Sequence, residues 1–328
     1  MSNIKEQMRN AKTTTVAMFP IFSGINAAHQ FDNDPSCRTK WSGNTEKQKT
    51  FINIMESCLK NNDLKQFSID EIRTIASRNA KEINNWLEAN GFNIKLDDFP
   101  KPTDYGTASI FDATVQWIED GQVIKITWME NPADLVPAAK VKTDAVFRSL
   151  SKEKNRNLFM VKTKNPKDCV YFSPVVSEED CNMENPMDIL SLFNDLTTEA
   201  KNNRALAQFA TKPELVFPTV SLDIKPDISW LKEMCFQGQS LENKGSDIIE
   251  DFIIKQALQQ TKFKLNEKGA RAKSAAAIGV TRACASLTPL EVLDKPFFVW
   301  FHRENTTVPW FAARIGRDSI KEVQNLDL

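Results

Sequence analysis

The sequence predicts an α+β fold, because helix-like and strand-like stretches are mixed without strict alternation. Its length suffices for one large domain or two small ones. Strict alternation would have indicated a doubly wound parallel sheet. Stretches with helical period dominate the first ninety residues, and β-branched and aromatic stretches dominate after Gly106. A chain of this length can bury one large hydrophobic core.

Three stretches have the apolar period of amphipathic helices. The first, "FSIDEIRTIASRNAKEINNWLEANG", has Ser68 and Glu71 at capping-box spacing and ends in the stop signal Asn90-Gly91. It predicts one long helix. The others are "TEKQKTFINIMESCLKNN" and "NPMDILSLFNDLTTEAKNNRALAQF", of which the second predicts a helical pair.

Strands are predicted where β-branched and aromatic residues cluster. These stretches are "ASIFDATVQWI", "GQVIKITWM", "NLFMVKT", "CVYFSPVV" and "ELVFPTVSLDI". The last contains a proline, which predicts an edge strand or a bent one. A short helix is predicted at "ISWLKEMC". At the C-terminus, "PFFVWF" and "VPWFAARIG" flank a polar turn and predict a hairpin.

The stretch "KLNEKGARAKSAAAIGVTRACASLTPLEVLDKPFF", residues 264–298, is unusually rich in small residues. Alanine favours a helix, but a period of two places the small residues on one side and Arg271 and Lys273 on the other. The small side consists of Ala270, Ala272, Ser274, Ala276, Ile278 and Val280. Because alanine is also a poor strand former, the pattern alone leaves helix and strand-or-loop both open.

Composition excludes several function classes. The 42 basic and 43 acidic residues give a net charge of -1, which provides no electrostatic case for nucleic acid. Six dispersed cysteines without a CxxC pair indicate reduced thiols, and no metal site or cofactor is expected. No secretory leader and no membrane-spanning apolar stretch is evident. We therefore expect a soluble protein that is cytoplasmic or secreted by a leaderless route.

The sequence gives no positive support for an enzyme. It contains two histidines, His29 and His302, and the latter lies at the end of a predicted strand. No Gly-rich phosphate loop is present, and no carboxylate pair is singled out by its spacing.

Several of these stretches together resemble the serpin family. "LNEKGARAKSAAAI" is similar to the family's hinge, and "KPFFVWFHRENTTVPWFAARIG" is similar to its closing hairpin. "INNWLEANGFNIKLDDF" and "LVFPTVSLDIKPDISWLKEMC" resemble a helix end and a strand that continues into a short helix. The matches follow the family's order from about residue 68 to the end. The region before Ser68 is shortened, as in compact viral serpins.

The resemblance implies a single domain over residues 1–328 with the serpin fold, which has a large central β-sheet, two smaller sheets, surrounding helices and an exposed reactive-centre loop, here at about residues 267–290. It implies a monomeric suicide inhibitor of a serine or cysteine protease, without nucleic-acid or membrane partners, whose cleaved loop inserts into the main sheet. Arg271 and Lys273 would then stay in water. The implied hinge residues are Glu267, Gly269, Ala270, Ala272, Ser274 and Ala276.

The same resemblance leaves the reactive bond and the inhibitory activity open. Usual spacing from Gly269 gives Ala283–Cys284 as the reactive bond, and spacing one residue shorter places Arg282 before the cut. Counting back from the closing hairpin points to Ala285–Ser286. The alternative function is a non-inhibitory serpin scaffold that acts as a binding or effector protein.

Some positions depart from the family's pattern. The family usually has a buried network of His, Asn and Ser where the sheet opens. The matching positions in this chain are Gln259, Asp112 and either Phe22 or Ser23. The lysine that commonly pairs with the hinge glutamate is replaced by Thr219. A glycine in the last strand is replaced by Ala313. These departures predict altered stability of the main sheet within the same fold.

Overall fold

The computed structural model describes residues 2–32, 40–148, 156–183, 185–202, 214–239, 249–272 and 290–328. Its helices are α1 (Ser2–Asn10), α2 (Met18–Phe31), α3 (Glu46–Lys60), α4 (Ala80–Ala89), α5 (Glu178–Cys181) and α6 (Pro186–Asn202). None of the helices in this part of the chain is long and apolar enough to cross a membrane.

The strands, in chain order, are β1 (Thr14–Val16), β2 (Lys40–Ser42), β3 (Ile72–Ser77), β4 (Gly106–Phe111), β5 (Ala113–Gln116), β6 (Gln122–Thr127), β7 (Leu135–Lys142), β8 (Ala145–Arg148), β9 (Asn157–Lys162), β10 (Asp168–Pro174), β11 (Glu214–Pro218), β12 (Val220–Ile224), β13 (Cys235–Gly238), β14 (Glu250–Ile253), β15 (Thr261–Asn266), β16 (Gly269–Ala272), β17 (Leu290–Val292), β18 (Phe297–Arg303) and β19 (Phe311–Ile315). Their order in the sheets is β1-β19-β18-β10-β9-β8, β17-β11-β7-β6, β12-β15-β16-β5, β14-β13-β2 and β3-β4.

The chain divides into two compact units. The first comprises Met1–Val16, Asp112–Asp223 and Lys262–Leu328, and the second comprises Ala17–Phe111 and Ile224–Thr261. The six-stranded sheet and, apart from one end residue each of β12 and β15, both four-stranded sheets belong to the first unit. The two smallest sheets belong to the second.

The core of the first unit is built around the hairpin β18–β19, which confirms the hairpin predicted from the C-terminal sequence. β18 is paired on both edges, with β10 and β19. Five consecutive residues of β18, residues 297–301, are completely buried, so both faces of the strand are covered. The indole of Trp300 donates a hydrogen bond to the carbonyl oxygen of Ile189 at 3.0 Å. Arg303 and Asp168 form a buried two-point ion pair at the end of β18.

In the second unit, the long helix predicted from Ser68 onward is wrong in its first half. Ser68 and Glu71 do exchange the hydrogen bonds of a capping box, but a turn follows and the chain enters β3. β3 pairs along its whole length with β4, and this pairing overrides the local helical pattern. The helix itself begins at Ala80, where the Asn79 side chain accepts a hydrogen bond from the Lys81 amide.

Most of the other predicted elements are present. α3 confirms the second predicted helix and begins with a complete capping box between Thr45 and Gln48. α6 confirms the first part of the predicted helical pair, and the second part lies mostly outside the described residues. The strand predicted over "ELVFPTVSLDI" is interrupted at Thr219 and becomes β11 and β12. The short helix predicted after it is a single 3₁₀ turn, Ser229–Leu231.

Candidate functional site: the hinge strand

The predicted hinge is a strand inside a sheet. β16, here called the hinge strand, pairs antiparallel with β15 on one edge and with β5 on the other. The four residues of the hinge strand face Gln116, Val115, Thr114 and Ala113 of β5 in that order. The strand reading of the small-residue stretch is therefore the correct one over Gly269–Ala272.

The turn between β15 and the hinge strand is held by the segment that follows β5. The amides of Trp117 and Gly121 donate to the carbonyl oxygens of Lys268 and Glu267, at 3.1 and 2.7 Å. The Trp117 indole donates to the carbonyl oxygen of Asn266 at 3.0 Å, and the Asn266 side chain accepts from the Lys268 amide at 2.9 Å. The backbone of Glu267 is thus fixed in the turn.

Glycine is required at the start of the hinge strand. The φ angle of Gly269 is 155°, and a β-carbon at this position would lie 2.1 Å from the carbonyl oxygen of Val115. Real β-carbons do not approach backbone oxygen so closely, so a side chain here would push the hinge strand away from β5.

Ala270 lies on the inward face of the hinge strand, as predicted. Ala270 is completely buried in a row with Leu265 and Val115, which are also buried. A small side chain fits this row because the flanking strands already fill it.

The prediction that Arg271 remains in water is wrong, since only 5% of it is exposed. Its nearest anionic group is Asp112, whose carboxylate lies 3.6 Å from Nη2. The Nε and Nη1 atoms have no hydrogen-bond partner among the described residues. Burial lowers the pKa of Arg271, and the charges of Asp112 and Asp327 act in the opposite direction. The hinge therefore carries a buried, incompletely paired cation, which is costly.

The positions matched to the family's buried network have other partners here. Gln259 donates to the carbonyl oxygen of Ala17 at 2.9 Å, and the Ser23 hydroxyl is 2.8 Å from that of Thr74. Phe22 is completely buried, while Asp112 faces the hinge strand.

Thr219, at the position of the family's lysine, binds the C-terminal segment. Its hydroxyl donates to the carbonyl oxygen of Lys321 at 2.6 Å. Ala313, which was matched to a position where the serpin family usually has glycine, is completely buried in β19.

The described part of the hinge strand ends at Ala272, in the sheet β12-β15-β16-β5. The next described strand, β17, lies in another sheet, where it runs parallel to β11. The remaining predicted site residues lie outside the described residues, and they are Ser274, Ala276, Arg282, Ala283 and Cys284. The described ends of the loop thus lie in two different sheets, and the candidate reactive bonds fall between them.

Sequence reasoning missed three features of the hinge: the contacts of Trp117, the contacts of Asn266 and the burial of Arg271. Asn266 directly precedes the Glu-Lys-Gly of the hinge, so its position could have indicated a role in the turn. Nothing in the local sequence indicated Trp117 or the segment near Asp327, because both meet the hinge from distant parts of the chain. Within the described ranges, no group of three or more metal-binding side chains is present.

Comparison with known proteins reveals similarity at the level of structure. No protein-family model matches the chain, and no curated protein sequence matches it. The fold matches thyroxine-binding globulin in complex with thyroxine, with 13% identity, a TM-score of 0.55, and coverage of 98% of this chain and 97% of the other. It also matches Tengpin, a thermophilic serpin in its native state, with 13% identity, a TM-score of 0.54, and coverage of 95% and 91%. Serpin48 of the insect Tenebrio molitor matches at 10% identity and a TM-score of 0.50, over 96% and 98% of the two chains.

Proposed function

We propose that this chain, which has the serpin fold, inhibits a serine or cysteine protease by suicide-substrate trapping. It works as one monomeric serpin domain. The protease cleaves the reactive-centre loop, residues 267–290, and the freed loop enters the central sheet while the protease is still acylated. The chain is thus a consumed substrate and catalyses nothing itself.

The position of the hinge strand carries this proposal. A strand made of loop residues already lies between β15 and β5, with Ala270 buried in the row that continued insertion would extend. The alternation of small residues continues through Ala272, Ser274 and Ala276. After cleavage, a strand of about a dozen residues would add ladder hydrogen bonds of ~1 kcal/mol each, so insertion would be favourable by an amount of order 10 kcal/mol.

We place the reactive bond at Ala283–Cys284, with Arg282–Ala283 as the alternative. Alanine before the cut suits elastase-like pockets, and arginine suits trypsin-like enzymes and some cysteine proteases. Mass spectrometry of the released C-terminal peptide distinguishes them, since its first residue is Cys284 in one case and Ala283 in the other. A peptide that begins at Ser286 would contradict both assignments.

The test of trapping is electrophoresis after the protein has been mixed with elastase-like, trypsin-like and cysteine proteases. An adduct that survives SDS supports trapping. The cleaved protein should also melt at a higher temperature than the uncleaved protein, because the inserted strand completes a sheet. Cleavage by these proteases without an adduct, together with an unchanged melting temperature, would contradict the proposal.

A second function, a non-inhibitory scaffold that binds a ligand or partner, is favoured by one observation. Arg271 is buried within the hinge strand, and a buried cation with unpaired nitrogens opposes stable insertion. Thyroxine-binding globulin, as its name states, binds thyroxine on a similar fold. Loop cleavage that leaves the melting temperature unchanged and gives no adduct with any protease would support this second function.

A further inference from the structure

The segment that follows the closing hairpin runs back along the sheet that contains the hinge strand, β12-β15-β16-β5. Residues 320–328, here called the C-terminal strap, begin with a bridge between Ile320 and Val220. The Lys321 amide donates to the carbonyl oxygen of Thr219 at 3.2 Å, and the Thr219 hydroxyl donates back to the carbonyl oxygen of Lys321 at 2.6 Å. These bonds anchor the strap beside β12, the neighbour of β15.

Further along, the strap reaches the two strands of the hinge hairpin. The side-chain amide of Asn266 lies 3.5 Å from the carbonyl oxygen of Val323, while its oxygen accepts from the Lys268 amide. One side chain therefore joins the strap to the hinge turn. The Lys264 ammonium donates to the carbonyl oxygen of Asp327. Lys264 is the direct cross-strand partner of Arg271, so the end of the strap lies over the face that carries Arg271.

Every third side chain of the strap packs against the protein. Ile320, Val323 and Leu326 are buried, and the residues between them are exposed apart from their backbone contacts. Asp327 brings a second carboxylate toward Arg271, in addition to Asp112. The end of the strap thus lies on the charged face that the sequence pattern assigned to water.

We propose that the C-terminal strap holds the hinge strand in the sheet before cleavage and thereby restrains the reactive-centre loop. With the strap docked, the loop is tethered at Ala272, and less of it is free to enter the cleft of a protease. With the strap released, Arg271 gains water, the hinge strand leaves the sheet and the loop lengthens. The effect on inhibition rests on the proposed function, whereas the effect on the hinge strand does not.

The test uses the full-length chain with Val323→Ser and Leu326→Ser combined, which removes the buried side chains of the strap. The matched control is Glu322→Ser combined with Gln324→Ser, at exposed positions of the same segment. Hydrogen exchange of the peptide covering residues 264–272 reports local opening of the hinge strand. We expect exchange there to be at least about tenfold faster in the buried-face variant, which corresponds to about 1.4 kcal/mol, and unchanged in the control.

Two milder variants keep the test informative if the first fails to fold. Thr219→Val removes the hydroxyl bond to the strap, and Asp327→Asn removes one carboxylate near Arg271. Each should accelerate exchange of the hinge peptide about twofold to fivefold. Peptides from β18 and β19 should exchange at the parent rate, which shows that the rest of the unit is intact.

A protease that forms an adduct with the parent protein should associate faster with the buried-face variant than with the control. Faster hinge exchange without any adduct in parent or variant would support the strap and contradict the proposed inhibition. Hinge exchange that is unchanged in all strap variants would overturn the proposal, whatever the proteases do.

Discussion

The closing hairpin, β18 and β19, and the hinge hairpin, β15 and β16, are both antiparallel pairs inside larger sheets, yet different side chains hold them. β18 buries large aromatic residues, and Phe301 packs against Trp310 and Phe311 with ring centroids 5.0 and 5.7 Å apart. The hinge strand presents the small side chain of Ala270 to its core row. Its other contacts are ladder bonds, the Asn266 and Trp117 bonds at the turn, and the strap.

The difference explains why β18 stays in its sheet whenever the protein is folded, whereas the hinge strand can leave its sheet. Burial of a Phe or Trp side chain contributes a few kcal/mol, whereas an alanine contributes much less. Expulsion of the hinge strand would therefore cost a few polar contacts and would relieve the buried charge of Arg271, while expulsion of β18 would unfold the first unit.

The largest effect is expected in the closing hairpin. Phe301→Ala removes a completely buried ring and should lower the free energy of unfolding by about 3–5 kcal/mol. Urea denaturation followed by circular dichroism measures the change. Lys264→Ala, in the hinge hairpin, is the matched truncation and should cost less than about 1 kcal/mol, because it removes a partly exposed cation. Equal losses would contradict the contrast between the two hairpins.

The next effect is specific to the hinge. Ala270→Arg would place an unpaired charge in a completely buried row and oppose insertion by several kcal/mol. Deacylation of the protease competes with insertion, so this variant should become a substrate and its stoichiometry of inhibition should rise several-fold. The uncleaved fold should keep its melting temperature, since the hinge strand can leave the sheet.

Ala270→Ser is the control for this prediction, because serine is nearly as small as alanine. Its stoichiometry of inhibition should stay close to the parent value. An inhibitor that tolerates arginine at position 270 would show that the row containing Leu265 and Val115 does not receive the inserting strand.

The same contrast explains what the sequence could predict. The closing hairpin was predictable because its strands are dense in aromatic and apolar residues and a polar turn separates them. The hairpin follows from local pattern alone. The inward face of Ala270 was predictable only with the resemblance to the serpin hinge, because the period of two by itself left helix and strand-or-loop both open.

What the sequence could not predict depends on contacts between distant segments. β3 was predicted as helix because Ser68 and Glu71 form a local cap, whereas its conformation is decided by pairing with β4, roughly 30 to 40 residues further along the chain. Arg271 is buried beside Asp112, and its cross-strand neighbour Lys264 binds the strap. No periodicity within residues 264–298 contains this information.

A smaller effect is expected at the first residue of the hinge strand. In Gly269→Ala the added β-carbon would meet the carbonyl oxygen of Val115, so β16 should separate from β5 at a local cost of about 1–3 kcal/mol. Hydrogen exchange should rise in the peptide covering β5 and in the hinge peptide. Gly24→Ala is the control, because a β-carbon there has only ordinary contacts, the nearest at 3.7 Å. Unchanged exchange in Gly269→Ala would show that the hinge strand tolerates the extra atom.

The smallest effect is expected where the closing hairpin ends. Arg317 binds Asp134 through Nε and Nη2, and the shortest of these bonds is 2.8 Å. The hydrogen bond from Arg317 lowers the pKa of Asp134, although partial burial opposes this. A carboxylate with a lowered folded-state pKa contributes stability above its unfolded pKa, and this contribution disappears as the pH falls through the folded value. Because both side chains are partly exposed, we expect only about 0.5–1 kcal/mol.

Asp134→Asn should therefore lower the free energy of unfolding at neutral pH, and the difference from the parent should shrink as the pH falls through the folded-state pKa of Asp134. At an ionic strength of about 1 M, where the screening length is roughly 3 Å, the difference at neutral pH should also shrink. Asp112→Asn is the counterpart at the hinge, and its effect should resist salt because Arg271 is buried. Salt that weakened both effects equally would mean that water reaches Arg271, and the contrast between a surface ion pair at the closing hairpin and a covered one at the hinge would fail.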